Sequence, residues 1–386
     1  MRFPEFHGEW CVSTIGEQFD LYSGNTPSRL NKEHFEGNVN WITSGELKEH
    51  YISDTKEKIS EDAATANNLK LLHPGTFVIA IYGLEADGVR GTGSITCKES
   101  TISQACMAFT QKGDVKNEFL YSWYKKHGNI IGIKYAQGTK QQNLSYDILE
   151  KFHIAYPSQD EQDKLIKFIS LLDERIASQS KLIEKLESLI KGISNKLLNS
   201  KEGMPVRLGA VLKERSEKTK VNNQYTVLSS TVNGLFSQRE YFSKDIASEN
   251  NVGYKIIRLH DVVLSPQNLW MGNINYNDKF DIGIVSPSYK IFFISNNFDK
   301  RYVAAMLKTH RALYGYKLIS EQGASVVRRN LNLEAFEQLI FKIPTIDKQQ
   351  EIGKTISLLN SRLETERTLK ATYQSQKQYL LRQMFI

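Results

Sequence analysis

Residues 143–176 read "NLSYDILEKFHIAYPSQDEQDKLIKFISLLDERI", and residues 330–363 read "NLNLEAFEQLIFKIPTIDKQQEIGKTISLLNSRL". The two stretches align without an insertion at a constant separation of 187 residues, which pairs Gln162 with Gln349. A long stretch that recurs in register indicates a duplicated structural unit, and such repeats set the architecture of a chain. The sequence therefore predicts two copies of one unit.

Each copy ends in a long helix. Pro157 and Pro344 precede it, and Asp160 and Asp347 follow at positions that favour a helix N-terminus. Apolar residues then recur in steps of three and four, which predicts a coiled-coil seam. The seam comprises Leu165, Ile169, Leu172, Ile176, Gln179, Ile183 and Leu186 in the first copy, and Ile352, Ile356, Leu359, Leu363 and Glu366 in the second. We expect the helices to pair antiparallel, although the second seam becomes irregular after Glu366.

The remainder of each copy is a mixed segment. Short β-type runs such as "GTFVIAIYG" and "YKIIRLHDVVLS" alternate with Gly, Pro, Asn and Asp. We predict an α+β fold with two tandem mixed α/β domains separated by two long antiparallel coiled-coil helices, forming a pseudo-twofold internal repeat. The predicted domains are residues 1–158 and 203–345, and the predicted helices are residues 159–202 and 346–386.

Composition narrows the class of protein. The chain has no run of 18 apolar residues and no apolar stretch near its N-terminus, so we expect neither a membrane span nor a signal peptide. Its three cysteines are scattered, which favours a reducing compartment, and we expect a cytoplasmic protein. A net charge of +7 allows a polyanionic partner.

Candidate catalytic motifs fail on their context. "EIGKT", residues 351–355, lacks the upstream glycine of a phosphate-binding loop and lies inside a helix pattern. "SPQNLW", residues 265–270, only partly resembles the Pro-aromatic loop of amino-methyltransferases. The eight histidines show no spacing typical of metal ligands. We expect a non-catalytic chain that has no metal site and no cofactor of its own.

Loops with small, amide-bearing and basic residues suggest binding instead. Asn and Gln amides can pair with adenine, Arg and Lys with guanine, and Ser and Thr with phosphates. Such loops are also ordinary turns. The candidate contacts in the first copy are Asn25, Thr26, Ser28, Arg29, Ser44, Arg90, Lys140, Gln141 and Gln142. Those in the second copy are Ser230, Asn233, Gln267, Asn268, Ser286, Tyr289, Ser325, Arg328 and Arg329.

These features resemble the specificity subunit of type I restriction–modification enzymes. The resemblance rests on "LYSGNTPSR…WITSGEL" (residues 21–47), "GTKQQNLS" (residues 138–145) and the duplicated helix start, and it covers essentially the whole chain. It implies two target-recognition domains, similar in fold to those of Taq-type adenine methyltransferases. Each would bind one half of a bipartite site in double-stranded DNA, while the helix pair sets the spacer.

The resemblance also implies partners and cofactors. The helices would dock methyltransferase subunits, two of them in the expected complex, and restriction (motor) subunits would join. S-adenosylmethionine, ATP and Mg²⁺ are expected on those partner subunits and none of them on this chain. The implied setting is the cytoplasm of a prokaryote, in association with the nucleoid, with no membrane partner.

Two other functions remain open on the residues alone. One is a two-headed protein-binding scaffold with a coiled-coil spacer, and the other is a self-sufficient DNA enzyme. Salt separates the first from DNA binding, because phosphate contacts weaken steeply as salt is added. The missing catalytic motifs count against the second. Neither half-site sequence nor spacer length follows from the pattern.

Overall fold

The computed structural model describes residues 1–86, 88–138, 142–198, 202–241, 250–322 and 329–385. The chain divides into two compact units by packing. Unit 1 comprises Met1–Ser180 and Leu369–Ile386, and unit 2 comprises Lys181–Thr368. Each unit therefore combines one mixed domain with one half of each long helix, a division that sequence order alone does not reveal.

Unit 1 contains a five-stranded sheet in the order β2-β9-β6-β7-β4 and a three-stranded sheet in the order β5-β3-β8. Its strands are β1 (Cys11–Thr14), β2 (Phe19–Ser23), β3 (Val39–Ile42), β4 (Tyr51–Ile52), β5 (Lys58–Ile59), β6 (Phe77–Ala80), β7 (Gly93–Thr96), β8 (Ser100–Ile102), β9 (Cys106–Gln111) and β10 (His153–Tyr156). Its helices are α1 (Ile15–Gln18), α2 (Glu61–Ala66), α3 (Asn117–Tyr135), α4 (Tyr146–Glu150) and the first half of α5 (Gln159–Leu198).

Unit 2 repeats this plan with a four-stranded sheet in the order β12-β19-β16-β17. Its strands are β11 (Met204–Arg207), β12 (Leu212–Arg215), β13 (Leu228–Thr231), β14 (Gly234–Ser237), β15 (Lys255–Arg258), β16 (Asp261–Leu264), β17 (Ile274–Tyr276), β18 (Ile282–Val285), β19 (Lys290–Ile294), β20 (Ser320–Gln322), β21 (Arg329–Leu331) and β22 (Ile340–Ile343). Its helices are α6 (Leu208–Val211), α7 (Gln238–Tyr241), α8 (Lys300–Met306), α9 (His310–Leu318), α10 (Leu333–Gln338) and the first part of α11 (Ile346–Met384).

The central strand of each main sheet explains the β-type runs in the sequence. In β6 every side chain from Phe77 to Ala80 is buried, and in β16 every side chain from Asp261 to Leu264 is buried. A strand that is covered on both faces requires a continuous apolar run rather than alternation. The single charged member, Asp261, pairs with Arg215 at 2.9 Å, which compensates its burial.

The opening segment of each copy returns to the strand that closes the domain. β1 pairs antiparallel with β10, and β11 pairs antiparallel with β22. The short helix after each opening strand packs through a glycine, because a Cβ on Gly16 would lie 3.0 Å from the Cβ of Glu150. A Cβ on Gly209 would lie equally close to the Cβ of Glu337. The repeat therefore preserves a close backbone approach as well as the sheet.

A buried glutamine ties the start of each long helix to its domain. In unit 1 the side chain of Gln162 accepts a hydrogen bond from the Lys116 backbone N–H at 3.0 Å. It also donates to the carbonyl oxygens of Pro157 and Asp114, at 3.0 and 3.1 Å. In unit 2, Gln349 accepts from the Asp299 N–H at 3.1 Å and donates to the Pro344 carbonyl at 2.8 Å. This shared role explains why both glutamines recur in the repeated stretch.

The long helices pair antiparallel within unit 1. There Lys377 donates to Asp173 at 2.5 Å, and the guanidinium of Arg175 donates to the Tyr373 hydroxyl at 3.2 Å. Residue numbers on α11 therefore fall as those of their contacts on α5 rise, as in an antiparallel pair. Because Tyr373 and Lys377 turn inward at seam positions, the seam of α11 continues past Glu366, where the sequence pattern becomes irregular.

The same pairing is seen in unit 2. Arg367 of α11 donates to Glu187 of α5 at 2.6 Å, and Leu197 and Leu198 pack against the core that contains Ile352 and Ile356. Gln179 and Glu366, the two polar seam residues, are both buried. The predicted α+β fold with two tandem domains, long paired helices and an internal repeat is confirmed. None of the helices in the described ranges is both long and apolar enough to cross a membrane.

Candidate nucleic-acid interface

Two of the predicted loops meet in unit 1. One, residues 81–92, follows β6, and the other, residues 136–145, precedes α4. Arg90 Nη2 donates to Gln142 Oε1 at 2.7 Å, which joins two candidates that are 52 residues apart. The Gln142 backbone N–H donates to Glu85 Oε2 at 2.8 Å. We call these two segments loop pair 1.

The base of loop pair 1 is held by backbone and packing. Gln137 and Asn143 exchange two backbone hydrogen bonds of 2.8 and 2.9 Å. The stem of Arg90 lies against α3, where a Cβ on Gly132 would be 2.5 Å from the Arg90 Cγ. Arg90 Nε is buried and has no partner among the described residues. The hydrogen bond from the Gln142 N–H lowers the pKa of Glu85, so this carboxylate is ionised.

Unit 2 brings together residues 265–273 after β16 and residues 329–332 before α10, which we call loop pair 2. The Arg329 N–H donates to the Gln267 carbonyl oxygen at 3.1 Å. The guanidinium carbon of Arg329 lies 4.7 Å from the centroid of the Trp270 ring. A cation over an indole face is held by the ring quadrupole, so Trp270 orients Arg329. Gln267 is exposed beside this stack.

Asn268 shapes loop pair 2 through its backbone. Its carbonyl oxygen accepts from the N–H groups of Met271 and Asn273, at 3.1 and 3.2 Å. The single 3₁₀ turn that follows, Leu269–Met271, ends at Gly272 with a φ of 93°, a conformation that favours glycine. The side chain of Asn268 is half-buried.

Ser230 and Tyr289 lie beneath loop pair 2 rather than on the surface. Ser230 is 3% exposed, and its hydroxyl donates to Asn273 Oδ1 at 2.7 Å. The Tyr289 hydroxyl donates to the Ser230 carbonyl at 3.1 Å, and burial raises the pKa of Tyr289. Asn273 is the last residue of the loop. These two candidates therefore support the loop from below.

The remaining candidates of unit 1 lie on other loops. Arg29 is exposed but forms a two-pronged ion pair with Glu57, at 2.6 and 2.8 Å, and its guanidinium lies over the Phe35 ring. Asn25 Oδ1 accepts from the Thr26 N–H at 2.8 Å, so that amide stabilises its own turn. Ser28 is exposed, and Ser44 begins a short 3₁₀ helix where it is half-buried.

Two candidates of unit 2 lie at turns, where Asn233 is exposed and Ser286 is half-buried. Asn233 lies at the turn between β13 and β14, and the Ser286 hydroxyl lies 3.1 Å from that of Ser288. The candidates Lys140, Gln141, Ser325 and Arg328 lie outside the described residues.

The structure adds residues that the sequence reasoning did not select. Trp270 orients Arg329, and Glu85 holds the Gln142 backbone. Tyr82, 36% exposed, forms an isolated bridge with Asn143. Trp270 was detectable, because a tryptophan beside two amides in a glycine-bounded loop is a typical stacking group. The described residues contain no cluster of three or more His, Cys, Asp or Glu side chains that could hold a metal ion.

Comparison with known proteins shows a similarity to type I restriction enzyme specificity subunits. Residues 7–188 match the sequence model of the type I restriction modification DNA specificity domain. That match contains the first of the two internal copies. The type I restriction enzyme MjaIX specificity subunit of Methanocaldococcus jannaschii is 28% identical over 185 residues, which cover 47% of this chain and 42% of the relative. The MjaVIII specificity subunit of the same organism is 25% identical over 203 residues, covering 51% and 44%. This chain thus matches less than half the length of these relatives.

Solved structures share the fold over the whole chain. The S subunit of a type I restriction–modification system from M. genitalium has a TM-score of 0.62 at 16% identity, covering 100% of this chain and 99% of that chain. A second structure, described as the basis of complex assembly and conformational transition of the type I R-M system, has a TM-score of 0.57 at 11% identity and covers 98% and 97%. The resemblance to specificity subunits of type I restriction–modification enzymes is therefore confirmed for residues 7–188, and the whole chain shares the fold of the solved S subunit.

Proposed function

We propose that this chain is the DNA-binding specificity subunit of a type I restriction–modification complex. Each domain reads one half of a bipartite site in double-stranded DNA, through loop pair 1 in unit 1 and loop pair 2 in unit 2. The observation that carries the proposal is the contrast between the loop pairs. In both pairs, the loop after the central strand of the main sheet (β6 or β16) contacts the segment before a short helix (α4 or α10), yet the side chains differ.

The chemistry of each loop pair suits base recognition. In loop pair 1, the Gln142 carbonyl oxygen is occupied by Arg90, so the amide keeps its two N–H donors for acceptors such as purine N7. In loop pair 2, the Arg329 guanidinium lies over the Trp270 ring, and its planar fork of donors matches O6 and N7 of guanine. Two readers with different donors would recognise different half-sites.

The helices are long enough to act as a spacer. α5 has 40 residues and α11 has 39 residues. At about 1.5 Å per residue each is roughly 60 Å long, which exceeds the roughly 34 Å that separates equivalent points on successive turns of DNA. Their outward leucines, Leu171, Leu182 and Leu189, are exposed, and they suit docking of methyltransferase subunits, two of which we expect.

Catalysis belongs to the partners in this proposal. In it this chain supplies no catalytic group, the methyltransferase subunits bring S-adenosylmethionine, and restriction (motor) subunits bring ATP and Mg²⁺. The whole assembly would work in the cytoplasm, where its DNA substrate lies. Support comes from the relatives, which are specificity subunits of type I restriction enzymes.

The primary test is a methylation map. The chain is co-expressed with the methyltransferase subunit encoded beside it, and modified adenines are located genome-wide by single-molecule sequencing. We expect one bipartite motif with a fixed gap. Replacing residues 207–342 with the segment of a relative should change one half-site and leave the other intact.

Matched point variants sharpen that test. Arg329→Ala should relax one half-site, and Arg90→Ala should relax the other, each with an expected loss of about 1–3 kcal/mol of base discrimination. Arg311→Ala, an exposed arginine on α9 outside the loop pairs, is the control. If methylation does not depend on this chain, the two-headed protein scaffold becomes the better account.

The spacer is tested separately. Insertion of four residues, about one helical turn, into the middle of both α5 and α11 should change the gap between the half-sites while leaving both half-site sequences unchanged. An insertion of four residues into the exposed turn at residues 287–288 serves as the control for added length. A gap that stays constant in the helix variant would exclude the helices as the ruler.

A further inference from the structure

Unit 2 contains a cleft of about 900 Å³ that the proposed function does not use. Its walls come from α8, the start of α9, the end of β17 and the facing segments of α5 and α11. The tip of the β13–β14 hairpin closes one side through Asn233. All of these elements belong to unit 2.

In unit 1 the equivalent position is filled by the chain itself. β4 adds to the edge of the main sheet beside β7, where the Ile95 N–H donates to the His50 carbonyl at 2.8 Å. The His50 ring stacks between Tyr51 and Tyr121, with centroid distances of 4.1 and 3.9 Å. Its Nε2 lies 2.8 Å from Glu118. In unit 2 the main sheet ends at β17, and no strand among the described residues pairs with the free edge of β17.

Three changes in sequence leave this position open among the described residues of unit 2. Alignment of residues 117–127 with residues 300–310 places Ala304 where unit 1 has Tyr121, and Arg301 where it has Glu118. The repeated helix places Asn360 where unit 1 has Asp173. The replacement of a ring by a methyl group enlarges the open space. The loss of two carboxylates makes the site more positive.

The cleft favours negatively charged ligands. Lys191, Lys279, Arg301 and Lys308 line it, against Asp278 and Glu364. Glu364 is already paired with Arg367 at 2.8 Å, which leaves the cations in excess. Lys308 donates one hydrogen bond, to the Gly272 carbonyl at 2.8 Å, and burial lowers its pKa to about 8. A buried ammonium with two further N–H donors is stabilised by an incoming carboxylate.

We propose that this cleft binds a peptide segment of another polypeptide that carries an aromatic ring and two or more carboxylates. The ring takes the space that Ala304 leaves, and the carboxylates meet the cations. The side-chain amides of Asn195, Asn233 and Asn360 line the walls and supply donors and acceptors for peptide groups. A peptide is favoured over a nucleotide because the counterpart in unit 1 is itself a peptide segment that pairs with the sheet edge.

The test uses a fluorescein-labelled peptide with the sequence of residues 44–54, "SGELKEHYISD", which fills the counterpart and carries a tyrosine and three carboxylates. Its binding to the full chain is followed by fluorescence anisotropy. We expect saturable binding of one peptide per chain, because unit 1 already contains this segment. A peptide with Glu46→Gln, Glu49→Gln and Asp54→Asn should bind at least tenfold more weakly.

Variants of the chain locate the site. Ala304→Tyr refills the cleft and Arg301→Glu reverses its charge, and each should weaken binding at least tenfold. Arg311→Glu, the same charge reversal outside the cleft, should leave affinity unchanged. Melting temperatures of all three variants are compared with that of the wild type, and Arg301→Glu, which changes only a surface residue, decides the matter if Ala304→Tyr does not fold.

Three outcomes would overturn the proposal. They are no saturable binding, equal affinity for the peptide that lacks carboxylates, and equal affinity in the Arg301→Glu variant. Displacement of the peptide by ATP or by a short DNA duplex at lower concentration than by unlabelled peptide would assign the cleft to phosphate ligands instead. None of these results depends on recognition of a DNA site by the loop pairs.

Discussion

The ring of His50 is clamped between two tyrosines in unit 1, whereas the corresponding space in unit 2 faces Ala304 and stays open. Both units nevertheless hold their long helix through the same glutamine and close their domain with the same pair of strands. The comparison teaches that the duplicated frame is maintained by contacts to the backbone. Side chains that face a ligand or a partner were free to diverge.

The largest expected effect comes from making unit 1 resemble unit 2. Tyr121→Ala should lower the free energy of unfolding by about 3–5 kcal/mol, because it removes a buried ring and leaves a cavity. Tyr121 is 3% exposed and packs edge-on against Phe77 at 6.0 Å. The measurement is urea unfolding followed by tryptophan fluorescence.

The matched control is Tyr314→Ala, since Tyr314 is 64% exposed on α9. Its effect should stay within about 0.5 kcal/mol. A loss below about 1 kcal/mol for Tyr121→Ala would mean that the stack of rings adds little to unit 1.

A smaller effect tests what the two units share. Gln162→Leu and Gln349→Leu should each destabilise the protein by about 2–4 kcal/mol, because each leaves buried backbone groups without partners. Gln162 is fully buried and Gln349 is 3% exposed. Urea unfolding measures both variants, and Gln374→Leu, at an exposed position of α11, is the control. If the two losses in free energy of unfolding differ by more than a factor of two, the two glutamines do not have equivalent roles.

The smallest expected effect is a pH dependence confined to unit 1. Burial lowers the pKa of His50, but the carboxylate of Asp173, 3.3 Å from Nδ1, and that of Glu118, which accepts from Nε2, outweigh it, so that the pKa is raised. When folding raises the pKa of a group, the resulting stabilisation is complete below the ordinary pKa and is lost as pH rises through the folded pKa. The free energy of unfolding should therefore fall from pH 6 to pH 7.5, by on the order of 1 kcal/mol.

Two other groups around His50 have pKa values that move away from that window. Burial raises the pKa of Asp173, but contacts with His50 and Lys377 outweigh it and lower that pKa, while burial raises the pKa of Tyr51 to about 12. Burial, together with nearby Lys377, lowers the pKa of Lys125 to about 8, which affects stability only at higher pH. Urea unfolding of wild type and of His50→Gln is compared, and the variant should lack the decline. An unchanged slope in His50→Gln would assign the effect to another group.

The sequence reveals the repeated frame because that frame depends on local signals. The helices start at Gln159 and Ile346, directly after the Pro-Ser and Pro-Thr pairs that signal them. The continued seam of α11 could not be predicted, because Tyr373 and Lys377 are polar and find their partners only on α5. A search for periodically spaced apolar residues does not detect such positions.

The candidate site was predictable in its loops but not in its contacts. Arg90 and Gln142, like Gln267 and Arg329, were selected separately, and only the order of strands in the sheet brings each pair together. Ser230 was selected as a surface contact because Ser-Ser-Thr reads as a polar loop. It is instead the interior end of β13, where its hydroxyl meets Asn273.

The glutamine joints have a consequence for how specificity evolves. The hydrogen bonds of the Gln162 and Gln349 side chains go to main-chain atoms, namely the N–H groups of Lys116 and Asp299 and the carbonyls of Asp114, Pro157 and Pro344. A recombination event that replaces a domain with one of different sequence therefore keeps the joint intact, provided that the backbone path is the same. A domain of different sequence could in this way be exchanged by gene transfer without redesign of the helices.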